Sequence, residues 1–113
     1  MTVTNTTPAL RNAMVMNKTE ARIIAAVCGE YGIRTEELTR RRRRGPVVLA
    51  RQMAAYMLYT FAECTYARTG EILERSAGTV YHHVEAVSEG LDIDRRLRER
   101  HDNIVRALNR RRN

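Results

Sequence analysis

Tryptophan is missing from this sequence, phenylalanine occurs once, and aromatic residues make up only 5% of it. Sandwiches and barrels draw on aromatic and β-branched residues for their strands, so the shortage argues for helices. Long apolar runs are missing too. The longest, such as Ile23–Cys28, are a handful of residues, far short of the roughly 20 that a membrane-spanning helix needs. The stretch from Met1 to Met16 holds one arginine and no apolar core, so no secretory signal is expected. Cysteine occurs twice, at Cys28 and Cys64, with neither a CxxC spacing nor a histidine at ligand spacing. These read as buried thiols in a reducing cytoplasm, with a disulfide or a metal site as the alternative. Glycine-rich phosphate loops, nucleophile elbows and HExxH motifs are also wanting. Neither catalysis nor a cofactor, metal or small-molecule substrate is therefore expected.

What the sequence does have is positive charge. Twenty Lys+Arg face thirteen Asp+Glu, a formal net charge of +7 with a pI near 10.2, and Lys18 is the only lysine. Such an excess points to a polyanion, either nucleic acid or an anionic membrane surface, with solubility alone as the plainer alternative. A length of 113 residues suits one compact domain. The expected organisation is a flexible arm over residues 1–16, a helical domain over 17–109 and a basic tail over 110–113.

The periodicity predicts about six helices. The first runs from Asn17 to Tyr31, with Asn17 and Glu20 at capping-box spacing, Ile24, Val27, Cys28 and Tyr31 on one face, and Gly32 as its stop. Thr35 caps a short turn over Glu36–Thr39. Pro46 opens a helix from Val47 to Ala62 that brings Leu49, Met53, Tyr56, Met57 and Phe61 together. Thr65 caps a short helix from Tyr66 to Leu73. Ser76 caps a fifth, which ends at Glu89 before Gly90 and carries the stripe Val80, Val84 and Val87. The last, Ile93 to Asn109 with Asp92 as cap, sets Leu97, Ile104, Val105 and Leu108 against a side rich in arginine.

A short helix, a tight connection and a Ser-capped helix with a valine stripe make the pattern of a helix-turn-helix. An ordinary helical hairpin gives the same pattern. Helical spacing puts Arg75, Gly78, His82 and Glu85 opposite the stripe, with Thr79 and Tyr81 flanking. Free amides at Ser76 and Ala77 suit a phosphate. Arg75 has the fork for a guanine edge, while Ser76, Thr79 and His82 are the other groups available for direct readout.

Five arginines in succession, Arg40, Arg41, Arg42, Arg43 and Arg44, precede the third helix and read as a loop closed by Gly45-Pro46. Five guanidinium groups repel one another unless an anion is near, and arginine suits phosphates and narrow minor grooves. A GC-rich genome would favour arginine over lysine, but it does not explain the clustering.

In order along the chain come Glu30-Tyr31-Gly32-Ile33, the acidic turn Glu36-Glu37-Leu38, the basic loop, Arg51-Gln52-Met53-Ala54, Gly70, and Arg75 with Thr79-Val80. This succession resembles the C-terminal DNA-binding domain of the bacterial chromosomal replication initiator, DnaA, over about residues 20–108. The resemblance implies an all-α helix-turn-helix domain, with Arg43 in the minor groove and Arg42 and Arg51 near the backbone. The sequence departs from the family signature Arg-Asp-His-Thr-Thr-Val, reading Arg75-Ser76-Ala77-Gly78-Thr79-Val80 instead. Side chains that read bases in the family are thus Ser76, Ala77 and Gly78 here. The nucleotide-binding module of an initiator is not among these residues, so action as an initiator alone is not expected.

Together these readings predict a non-enzymatic, cytoplasmic, nucleoid-associated binder of double-stranded DNA. It would serve as a transcriptional regulator or accessory replication factor, and its oligomeric state is open. The alternatives are a protein-interaction module and an RNA binder acting through the arginine run.

Overall fold

Five α-helices and a 3-10 turn account for most of residues 16–41 and 45–110, the part of the chain that the computed structural model describes. The helices are α1 (Lys18–Tyr31), α2 (Gly45–Phe61), α3 (Tyr66–Leu73), α4 (Ala77–Ile93) and α5 (Arg95–Arg110). The 3-10 turn, Thr35–Leu38, lies between α1 and α2 and is the sixth element of the sequence reading. No strand occurs among the described residues. The chain is all-α as expected. Most of the arm at residues 1–16 and of the tail at 110–113 lies outside the described residues; Met16 packs against the core, and Arg110 ends α5.

Local chemistry explains the helix ends. The Asn17 side chain accepts from the Glu20 amide at 2.7 Å, and Glu20 accepts from the Asn17 amide at 3.0 Å, the reciprocal pair that sequence spacing predicts. Gly32 closes α1 at φ 68°, a left-handed conformation that costs glycine little. Several predicted boundaries move, and α2 begins at Gly45 rather than Val47, so Gly45-Pro46 opens the helix instead of closing a loop. Arg34, not Thr35, precedes the 3-10 turn, and its amide donates to Glu37 Oε1 at 3.3 Å. Gly90 does not stop α4, because its missing side chain serves close packing instead: a Cβ there would lie 2.7 Å from Leu97 Cδ2. Asp94 rather than Asp92 caps α5, accepting from the amides of Arg96 and Leu97 at 3.0 and 3.1 Å.

Helix α2 is the centre of the core, packed by α1, α3 and α4. Its middle is therefore buried on several sides rather than along one stripe: Ala50, Met53, Ala54, Ala55, Met57 and Leu58 are all fully enclosed. Leu49 and Phe61, expected on the buried face, are 49% and 46% exposed, and Leu49 lines an open cavity with Tyr31 and Leu97. Both cysteines are buried and unbridged, as one sequence reading held. Burial pushes the thiols of Cys28 and Cys64 up to about 11, so both stay protonated. Among the described residues no helix is long and apolar enough to cross a membrane.

One charged pair sits in this core. Glu20, only 4% exposed, accepts from Arg68 Nη2 at 2.7 Å and from Arg68 Nε at 3.2 Å, tying α1 to α3. The Arg68 fork holds the Glu20 carboxyl down to about 2, against an ordinary value of 4.5. A depressed carboxyl stabilises the fold above its unfolded value, and that stabilisation fades as pH falls through the folded one. The pair should contribute about 2–3 kcal/mol at neutral pH, allowing for the partly exposed Arg68, all of it lost on acidification from about pH 4.5 to about pH 2. Chemical denaturation across that range should show the loss in the wild type and a flatter acid limb in Glu20→Gln.

Candidate nucleic-acid interface

Helices α3 and α4 meet at a sharp turn built around Gly70. The Gly70 carbonyl accepts from the Glu74 amide and, at 2.9 Å, from the Arg75 amide. A Cβ on Gly70 would lie 2.3 Å from the Arg75 carbonyl oxygen, so the connection closes only around glycine. Glu74 turns the chain in the left-handed region at φ 58°. Ser76 then caps α4, its Oγ accepting from the Thr79 amide at 3.1 Å and donating to Thr79 Oγ1 at 3.0 Å.

The valine stripe points inward, as sequence spacing predicts. Val80, Val84 and Val87 are 0%, 6% and 1% exposed. The opposite face therefore looks outward: Ser76, Ala77, Gly78 and His82 are exposed, while Thr79, Glu85 and Arg75 are half-buried. Nothing crowds Gly78, whose nearest neighbour is the Ser76 hydroxyl at 4.0 Å from an added Cβ. Tyrosines brace the pair of helices at the rim. Tyr66 of α3 stacks on Tyr59 of α2 at 4.7 Å between centroids and meets Tyr81 of α4 edge-on at 5.6 Å.

The basic loop is fastened to this motif by two arginines. Arg51, 5% exposed, donates from Nε to the Leu38 carbonyl and from Nη2 to the Arg40 carbonyl, each at 2.8 Å. Arg75 reaches the same Arg40 carbonyl from its Nη2 at 2.7 Å, and its Nη1 donates to Glu74, Leu73 and Thr39 at 2.9, 3.2 and 3.4 Å. One loop carbonyl thus takes two guanidinium groups from different elements. Burial and the neighbouring cation lower both arginines from their usual value, while arginine remains charged at any physiological pH. His83, half-buried beside this clasp, is lowered by burial and then by Arg51 and Arg75, so it is neutral at pH 7.

The family resemblance implied a backbone contact for Arg51 and helical spacing offered Arg75 as a base-reading fork; the structure engages both guanidiniums with backbone carbonyls. Carbonyl acceptors leave no mark in a sequence, so no signal announced the clasp. Arg40 and Arg41 are exposed at its outer side; Arg42, Arg43 and Arg44 lie outside the described residues. Among the described residues no group of three histidine, cysteine or acidic side chains is placed to hold a metal.

The model of the bacterial dnaA protein helix-turn-helix matches residues 21–87, more than half the chain, from α1 through all of α3 and the valine stripe of α4. The chain belongs to the DnaA helix-turn-helix family. Among its DnaA relatives, the chromosomal replication initiator protein DnaA of Chloroflexus aurantiacus is 36% identical over 77 residues, 67% of this chain and 16% of that protein. Initiator protein DnaA 1 of Chlamydia muridarum is 30% identical over 87 residues, 77% of this chain and 19% of that protein. DnaA 2 of Protochlamydia amoebophila is 30% identical over 78 residues, 69% and 17% respectively. The chain thus spans less than a fifth of the length of these DnaA relatives. What it shares with them is a replication-initiator-like, DNA-binding helix-turn-helix in an all-α domain.

Proposed function

We propose that this chain binds double-stranded DNA, with α4 in the major groove and the arginine run in the adjacent minor groove. The observation that carries the reading is the clasp on Arg40: it couples a loop of five arginines to the turn of the helix-turn-helix, so both present to one duplex. Readout passes through the exposed start of α4. Ser76, Thr79 and His82 supply the polar groups, the amides at Ser76 and Ala77 meet a phosphate, and Gly78 lets the helix approach the groove floor. Arg40 and Arg41 meet phosphates, with Arg42 and Arg44 beside them and Arg43 in the groove, where a guanidinium senses width rather than base identity. Arg51 and Arg75 act by holding that loop in place.

Its small residues at Ser76, Ala77 and Gly78, where initiators carry base-reading side chains, give the chain a target different from the initiator's own. The role that follows is non-catalytic, as a transcriptional regulator or an accessory factor in replication, at the nucleoid and without a membrane or small-molecule partner. Selection of bound sequences from a random duplex pool tests it. A defined motif with A·T-rich flanks on one side is the expected product. A bound pool no different from the starting pool would leave an interaction protein as the better reading.

A further inference from the structure

The arginine run joins the described structure at two points held by different elements. At Arg40 the clasp ties it to the helix-turn-helix. At Gly45–Pro46 it meets α2 beside a cavity of about 430 Å³, whose walls include Tyr31, Leu49, Arg96 and Arg100. A second groove of about 440 Å³ adjoins it along α1 and α5, lined by Glu30, Arg95, Arg96, Glu99, Arg100 and Asn103. Arg96 and Arg100 border both.

Across the two grooves Arg95, Arg96 and Arg100 meet three carboxylates, Asp94, Glu30 and Glu99, so the balance turns on what each carboxylate engages. Asp94 accepts from the backbone amides of Arg96 and Leu97 at 3.0 and 3.1 Å. Glu30 accepts from Arg100 at 3.3 Å and from Asn103 at 3.0 Å, and Arg100 also donates to the Glu30 carbonyl and lies over the Tyr31 ring. Glu99 faces Arg95 at 3.7 Å in an exposed pair. Each carboxylate therefore has a partner other than the Arg96 side chain. The Arg96 guanidinium, exposed at the first turn of α5, has no ion pair with any of them among the described residues.

We propose that Arg96 is a further DNA-contacting residue, a phosphate anchor that prolongs the arginine run onto α5; the inference rests on the duplex-binding reading above. Arg41 and Gly45 are four residues apart, so their Cα atoms lie within roughly 14 Å of each other, and Gly45 shares a cavity with Arg96. Arg96 therefore meets phosphates outside those met at Arg41, on the Gly45 side of the loop. The contact carries no base information. It sets affinity and the length of the footprint.

The test uses the full chain on a duplex carrying the selected motif with long flanks. Removing one phosphate contact lowers the slope of log K against log salt by about 0.9. Arg96→Ala should show that loss together with missing hydroxyl-radical protection at the outer flank only, and Arg96→Lys should restore most of the slope. Arg106→Ala makes the same charge change about 15 Å further along α5 and should leave slope and footprint intact. An unchanged slope in Arg96→Ala, or an equal loss in Arg106→Ala, overturns this inference while the functional reading stands. No duplex binding by the wild type overturns both.

Discussion

Val84→Asp should remove most of the stability of this domain. Val84 lies mid-way along the buried stripe of α4, 6% exposed and part of the hydrophobic core. An aspartate there would exchange apolar packing for a carboxylate without a designed partner, at a cost of roughly 4 kcal/mol or more. Domains of this size hold only about 5–15 kcal/mol in total. Each kcal/mol is worth roughly 4–8 °C in a domain near 100 residues, so the midpoint should fall by about 15 °C at least, or the transition should vanish. Ala86→Asp, two residues on and exposed, is the matched control and should stay within about 0.5 kcal/mol of wild type. Equal melting curves for Val84→Asp and wild type would mean that the outward and inward faces of α4 have been exchanged, and the proposed reading face with them.

Gly70→Ala should damage both folding and binding. The added methyl would stand 2.3 Å from the Arg75 carbonyl oxygen, 3.5 Å from its carbon and 3.6 Å from the Ser76 carbonyl carbon. All three are backbone atoms, so no rotamer relieves the clash and the turn itself must open. Overpacking of this kind costs about 1–3 kcal/mol and here should reach the upper end. Opening the turn also shifts Arg75 and therefore the clasp on Arg40, so duplex affinity should fall more than tenfold even at temperatures where the variant is folded. Gly78→Ala is the contrast, because its methyl enters open space and helix propensity favours alanine by about 1 kcal/mol. Comparable stability and affinity in Gly70→Ala and wild type would show that the turn tolerates a wider geometry than the structure has.

The parts of this fold that the sequence announced are those set by residues close together in the chain. Caps at Asn17, Thr65 and Ser76, the stop at Gly32 and the valine stripe of α4 all depend on neighbours within a few positions. Gly90 and Leu49 were legible only once packing was known. A glycine that lets another helix approach looks in sequence like one that ends a helix, and an apolar residue that lines an open cavity looks like one that faces the core. The site divides in the same way. The outward face of α4 followed from helical spacing, whereas Arg51 and Arg75 are separated from the Arg40 carbonyl by 11 and 35 residues. Backbone acceptors at that distance carry no sequence signature, so the fastening of the loop by these two arginines was not legible.

The central claim is that α4 and the arginine loop grip one B-form duplex. Equilibrium binding of the full chain to a DNA duplex and to an RNA duplex of the same sequence, measured over a range of salt, tests it most directly. A-form RNA has a major groove too deep and narrow for a helix to read, so the chain should clearly prefer DNA. A log–log salt slope of several units is also expected, about 0.9 for each phosphate neutralised. Equal affinity for the two duplexes at every salt concentration would contradict the claim.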